Sequence, residues 1–335
     1  MKSMYNQTHA DLEKYFLENN AKKYKATQIF EWLYQKKIND FDEITNLKKE
    51  VILKLKKEFT IDKLEIIKKQ EDDYVVKYLF KLKDDNNIEA VLMKHDYGNS
   101  LCISSQIGCN MGCTFCESGK IKKIRDLEPS EMVLQLLEAE KDLNLRISHV
   151  VIMGIGEPFD NFDNVMKFID IINHPKGLSI GARHITVSTI GIIPKIKDFM
   201  NYDKQVNLAI SLNAPNNELR NKLMPINKVY NLEELIKVLK EYIIKTNRRI
   251  TFEYVLLNNI NDSLENAIEL CNLLKGMNCY VNLIPYNKTS SNYEKSKKQI
   301  NFYDTLKKNK INVTIRREFG KKINAACGQL SIKEK

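Results

Sequence analysis

The spacing of apolar positions changes twice along the chain. Through residue 70 it is helical. Leu12, Tyr15 and Phe16 share one face, and in KATQIFEWLYQKKI the residues Ile29, Trp32, Leu33 and Ile38 recur near helical spacing. FDEITNLKKEVILKLKKEF repeats the pattern with Val51, Leu53, Leu55 and Phe59. Over 73–94 the pattern turns to strand: DYVVKYLFKLK and NIEAVLMKH flank Asp84-Asp85-Asn86-Asn87, a turn-forming cluster, which predicts a hairpin. From Leu101 onward strand-like and helix-like stretches alternate. Strands are expected at 101–106, 148–153, 184–189, 207–212, 251–257, 280–285 and 312–316. Helices are expected near 129–143, 161–173, 192–200, 231–245, 262–276 and 299–309, with Pro129-Ser130-Glu131 and the pair Asn231/Glu234 as start signals.

Repeated β–α units imply parallel strands. About six of them fit a partial (β/α)6 barrel, whose loops at the C-terminal strand ends carry the chemistry. The expected class is α/β, with a small helical domain over 1–70, a connecting β-hairpin over 71–98 and a core domain over 99–335.

The first core strand runs into LCISSQIGCNMGCTFCESGK, which holds Cys109, Cys113 and Cys116 as C-x3-C-x2-C. Zinc wants four ligands and usually draws them as two pairs, so a lone trio suits it poorly unless a distant His completes the set. A four-iron cluster normally takes four cysteines; with three, one iron keeps an open position. Gly108 and Gly112 allow a tight fold around such a cluster. The spacing resembles that of radical S-adenosylmethionine (radical SAM) enzymes, in which SAM chelates the open iron.

Other strand ends carry further candidates. SHVVIMG runs into Gly154-Ile155-Gly156-Glu157-Pro158, where glycines permit close approach to a ligand and a carboxylate suits an ammonium group. Taken by itself this is an ordinary βα turn; after the cysteine loop it matches the SAM-binding segment of radical SAM enzymes. HITVSTIG offers Ser188 and Thr189, AISLNAP offers Ser211 and Asn213, and VNLIPYN ends at Asn287. Such hydroxyls and amides suit a ribose or a carboxylate, though each alone also fits a local cap or turn. Glu89 lies in the second hairpin strand with nothing local to single it out. Cys327, in AACGQL, reads alone as a core cysteine. Cys271 and Cys279 read as structural.

Composition adds partners and compartment. Lys and Arg number 53 against 43 Asp and Glu, a net charge of +10, which points to a polyanion such as nucleic acid or, equally, to a Lys-rich proteome. The seven cysteines, three of them in one loop, speak for a reducing compartment rather than a secreted disulfide scaffold. MKSMYNQTHADLEKYF has no apolar core of the kind a signal peptide needs, and no apolar run is long enough to span a membrane, so a cytoplasmic protein is expected.

Taken together, CISSQIGCNMGCTFC, VVIMGIGEPFDNF, ARHITVSTIGIIP, AISLNAP, LMPIN, VNLIPYN and VTIRREFGKKINAACGQL resemble the RlmN/Cfr family of radical SAM RNA methyltransferases over nearly the whole chain. The resemblance implies cluster ligands at Cys109, Cys113 and Cys116, and SAM contacts at Gly156, Glu157, Ser188, Ser211, Leu212, Asn213 and Asn287. It implies a methyl-carrying Cys327, a disulfide partner at Cys102 and a proton acceptor at Glu89. The implied cofactors are a [4Fe-4S] cluster and two SAM per turnover. The implied partners are 23S rRNA in an immature or protein-poor state, tRNA, and an electron donor such as flavodoxin or ferredoxin, with the protein a monomer. Gly156-Glu157-Pro158 and FEWLYQKKINDFDEIT lean to RlmN, implying methylation at C2 of adenosine 2503 in 23S rRNA and of adenosine 37 in some tRNAs. Three positions depart from that pattern. Asn213 stands where His is usual, Glu117 follows the cysteine loop where a small residue is usual, and Ile190 is Cfr-like, the form that modifies C8. Outside the family, the competing readings are an RNA-binding protein with a structural metal and a radical SAM enzyme for a small molecule.

Overall fold

A computed structural model describes residues 1–317, 323 and 328–330. Helices α1 (His9–Glu18), α2 (Tyr24–Phe30) and α3 (Lys49–Glu58) form the N-terminal part. They pack directly onto the rest of the chain. Leu12, Phe16, Ile29, Phe30 and Leu55 lie in the same buried cluster as the core-domain helices. Asn6 ties to both Glu128 and Ser130 at the head of α4 (Pro129–Leu143).

Among the described residues, ten strands form one sheet whose spatial order is the order of the chain. They are β1 (Glu65–Asp72), β2 (Val75–Lys81), β3 (Asn87–His95), β4 (Gly98–Ile103), β5 (Ile147–Ile152), β6 (Ile185–Thr189), β7 (Asn207–Ser211), β8 (Ile250–Leu256), β9 (Cys279–Pro285) and β10 (Val313–Ile315). The first four form an antiparallel meander, and every later pairing is parallel. α4, α5 (Phe162–Asn173), α6 (Ile193–Phe199), α7 (Asn217–Leu223), α8 (Leu232–Thr246), α9 (Leu264–Leu274) and α10 (Gln299–Lys308) lie in the connections. Strands such as NLAIS are buried on both faces, as parallel strands covered by helices must be.

Local chemistry sets the helix ends. α4 starts on Pro129 inside a Glu128/Glu131 capping box and ends at Asn144, which takes the left-handed conformation at φ 48°. α8 starts where Asn231 accepts from Glu234 N at 2.9 Å and ends at Asn247, φ 51°.

Three details differ from the sequence expectation. The main sheet begins at Glu65, and a short parallel pair of Lys2–Ser3 with Phe59–Thr60 precedes it, all inside the stretch expected to be helical. EIIKKQED is so charged that its alternation shows only once β2 pairs with it, and as an edge strand it has one partner. The hairpin is the middle of the meander and part of the main sheet, not a separate connector. α7 was not expected; its seven residues are too short for a periodic signal, and it is set by Asn216 accepting from Leu219 N at 3.0 Å.

Candidate active site

The C-terminal ends of β4 to β9 open onto a cavity of about 900 Å³, mouth included. Its wall brings together Cys109, Cys113 and Cys116 from the loop after β4, Gly156 and Glu157 after β5, Ser188 on β6, and Ser211 and Asn213 at the end of β7. Gly328, the residue after Cys327, also lines it.

The cysteine loop folds back on itself. Cys109 N donates to Ile121 O at 2.8 Å and Cys116 N to Cys113 O at 3.2 Å. Gly108 sits at φ +76°, and a Cβ there would come within 2.4 Å of Lys122 O, so only glycine fits. Burial pushes the Cys109 thiol up to about 12 and raises Cys113 and Cys116 as well, with the neighbouring thiols adding to the effect at Cys113. Thiols held this way give up protons to a metal centre rather than to solvent. Among the described residues no three His, Cys, Asp or Glu side chains converge on a single metal ion.

Glu157 is fixed before any ligand arrives. Its Oε1 accepts from Phe159 N at 3.0 Å and Thr189 Oγ1 at 2.6 Å, and its Oε2 from Ile190 N at 3.0 Å. Its own N–H donates to Gln106 Oε1 at 2.8 Å. Burial nevertheless lifts its carboxyl to about 7, the three donors pulling the other way. Gly156, at φ +106°, lets the loop pass within reach of Gln106, where a Cβ would sit 2.6 Å from the Gln106 side chain.

Asn213 occupies the left-handed region at φ 58°, which Asn tolerates better than most residues. Its Oδ1 accepts from Val255 N at 2.9 Å, and its Nδ2 faces Met224 Sδ at 3.3 Å. The amide thus braces β8 as well as lining the cavity. Glu117 accepts from the backbone and hydroxyl of Ser290, and its N–H donates to Gly328 O at 2.9 Å, so this departure pins two segments at the mouth.

The remaining expected residues lie elsewhere. Leu212 is fully buried in the hydrophobic core; strand alternation turns it away from the face that carries Ser211, and its N–H and C=O are bonded to Glu253 and Arg220. Its side chain is not among those that line the cavity. Asn287 is buried just past β9, its Nδ2 on Pro285 O at 3.3 Å. Glu89 is buried on β3, where its Oε1 lies 2.6 Å from Lys77 Nζ. Cys102 lies on β4 opposite Val91 and packs against Val75, Val91, Met93, Ile155, Ile323 and Leu330. Cys327 lies outside the described residues, and no disulfide joins two described cysteines.

Comparison with known proteins places this geometry. Residues 103–271 match the model of the radical SAM superfamily, and residues 3–61 match that of the ribosomal RNA large subunit methyltransferase N-terminal domain. A relative from Acholeplasma laidlawii, described as a probable dual-specificity RNA methyltransferase RlmN, is 53% identical, with 98% of each chain covered. One from Spiroplasma citri with the same description is 53% identical over 99% of this chain and 98% of its own. The chain belongs to the RlmN family. A solved structure of a radical SAM methyltransferase from Sphaerobacter thermophilus, 37% identical, superposes with a TM-score of 0.93 over 99% of this chain and 100% of its own.

RlmN enzymes use a [4Fe-4S] cluster and SAM, and the cavity fits both. Three cysteines line one wall, and buried polar atoms without a partner, Ser188 Oγ and Glu253 Oε2, belong to residues that line it too. Asn287 Oδ1 is a third buried orphan, at the β9 end. Unmet buried acceptors and donors are costly unless a ligand meets them.

Two buried charged residues, one lining this cavity and one beneath it, escaped the sequence reading. Glu253 is 5% exposed on β8; burial raises its carboxyl, and nothing in TFEYVLL separates it from a solvent-facing strand glutamate. Arg220, fully buried on α7, donates to Ile190 O at 2.6 Å, Leu212 O at 3.3 Å and Asn227 Oδ1 at 2.9 Å. It ties the β6 and β7 ends together beneath the cysteine loop. Its one signal was an arginine at a helix position that, once α7 is drawn, faces inward.

Proposed function

We propose that this chain methylates C2 of an adenine in RNA, adenosine 2503 of 23S rRNA and adenosine 37 of some tRNAs, through a methyl carried on Cys327. The observation that carries this reading is the cavity that joins the cysteine trio, the Glu157 loop and Gly328 beside Cys327. C2 is an electron-poor amidine carbon that cannot attack a methyl group as a nucleophile. The cluster with SAM supplies radical chemistry, which such a carbon needs.

The chain's own residues do the rest. Cys327 as thiolate accepts the methyl group, a reaction suited to sulfur. Once its carbon is joined to the base, Glu89 takes the proton from the ring. Cys102 then attacks the Cys327 sulfur, releasing the product and leaving a disulfide that an external thiol must reduce. Two arrangements support this. Ile323 and Leu330, which flank Cys327 in the chain, share one cluster with Cys102. On β3, Glu89 alternates with Val91 and Met93 of that cluster and so shares their face. Gly156-Glu157-Pro158 and the N-terminal segment favour C2. Cytoplasmic location, a monomeric state and a flavodoxin- or ferredoxin-type electron donor complete the reading; among the described residues no helix is long and apolar enough to cross a membrane.

The test is a pair of variants purified from cells on denaturing gels, with and without ribonuclease. Cys102→Ala should carry a covalent RNA adduct, and Cys327→Ala none. Full methylation by Cys102→Ala without an adduct would refute the two-thiol route.

A further inference from the structure

At the opposite end of the parallel sheet, the N-terminal ends of β6, β7 and β8 surround a second cleft, of about 1210 Å³ with its open mouth. Every described residue lining it is polar, and none of these is a carboxylate. Small-molecule sites are mostly apolar, so this composition points elsewhere. Arg183, Arg248 and Arg249 all line it. Arg248 is held by the carbonyls of Lys204 and Val206, and Arg183 by Gln205 Oε1 at 2.7 Å. Among the described residues none of the three makes a salt bridge with an acid. Burial lowers the Arg248 guanidinium, with Tyr242 opposing the shift and the like charge of Arg183 adding to it, so two cations are held side by side here. Oriented guanidiniums of this kind fit phosphate oxygens.

Beside the cleft runs a row of rings. His184, next to Arg183, stacks on His149 with centroids 4.3 Å apart, and His149 meets Tyr97 edge-on at 5.2 Å. Tyr97 in turn stacks on His95 at 4.6 Å. Tyr97 is 68% exposed and His184 is exposed as well. Rings flanked by arginines form a platform on which unpaired bases stack.

We propose that this end of the sheet is a second RNA-binding surface, its arginine cleft taking phosphates and its ring row an unpaired base. The proposal rests on the reading of the protein as an RNA methyltransferase and names a contact remote from the reacting adenine. The two surfaces are separated by strands of five to seven residues, on the order of 20 Å, a span that a folded RNA bridges and a single nucleotide does not.

The experiment uses full-length enzyme with its cluster reconstituted, and as probes protein-free 23S rRNA and total tRNA from cells lacking this protein. Arg183→Gln with Arg249→Gln, both exposed positions, should weaken binding about tenfold. The slope of log affinity against log salt should fall by about 1.4, two contacts at about 0.7 each on a single strand. KM should rise while kcat at saturating RNA and RNA-independent SAM cleavage stay unchanged. Tyr97→Ala with His184→Ala should weaken binding about fivefold or more with the slope unchanged, because stacking releases no counterions. Folded variants with wild-type affinity and slope would overturn the second surface. Wild-type protein that binds neither RNA would refute the functional reading and this surface with it.

Discussion

Lys77 Nζ and Glu89 Oε1 meet at 2.6 Å on neighbouring strands, both side chains less than a tenth exposed. The lysine is a built-in counter-charge for the carboxylate we propose as the proton acceptor. Removing it leaves a buried carboxylate without that cation, which favours the protonated, inactive form. Lys77→Met should therefore shift the acid limb of the pH–rate profile to higher pH by a unit or more, with part of the activity restored under alkaline conditions. A profile unmoved by Lys77→Met would separate Glu89 from catalysis.

Arg220 lies beneath the cysteine loop, where the Cys113 thiolate, when ionised, favours its charged form. Arg220→Met should destabilise the protein by about 2 kcal/mol or more, since three acceptors lose a charged donor. It should also make the reconstituted cluster harder to reduce, because a nearby positive charge is gone. A redox titration followed by electron paramagnetic resonance checks the second effect. An unchanged potential would mean that the guanidinium only braces the strand ends.

Glu157 gives the ligand-free chain a pH signature. Burial raises its folded pKa from 4.5 to about 7. The folded chain thus keeps a proton that the unfolded chain releases. This contribution to stability is fully present below about 4.5 and is lost as pH rises through about 7, on the order of 3 kcal/mol. Glu157→Gln should flatten the melting temperature over that window. A wild-type slope that survives the substitution would assign it to another group.

Much of this was legible in the residues. α4 was expected at 129–143 and found at Pro129–Leu143 because proline and a capping box mark its start and a polar break marks its end. Eight expected site residues line the cavity because glycines, hydroxyls and thiols at strand ends are unusual enough to stand out. What stayed hidden depends on tertiary pairing. β1 reads as a solvated charged stretch until β2 lies beside it. Glu253 and Arg220 look like surface residues until β8 and α7 turn them inward. Leu212, next in sequence to a cavity residue, carries its side chain into the core instead.

Iron binding separates the cluster reading from a structural metal. Cys113→Ala should lose cluster iron and all reductive SAM cleavage, while Cys271→Ala, in the core away from the cavity, should keep both. Full iron content in Cys113→Ala would remove the trio from the cluster.

The most direct measurement is nucleoside mass spectrometry of 23S rRNA and tRNA from cells with and without this protein. The account predicts 2-methyladenosine in both RNAs when the protein is present and its loss when the protein is absent. It also predicts return of the mark with the wild-type chain and no return with Cys327→Ala. Unchanged 2-methyladenosine in cells lacking the protein, or 8-methyladenosine as the product restored, would contradict it.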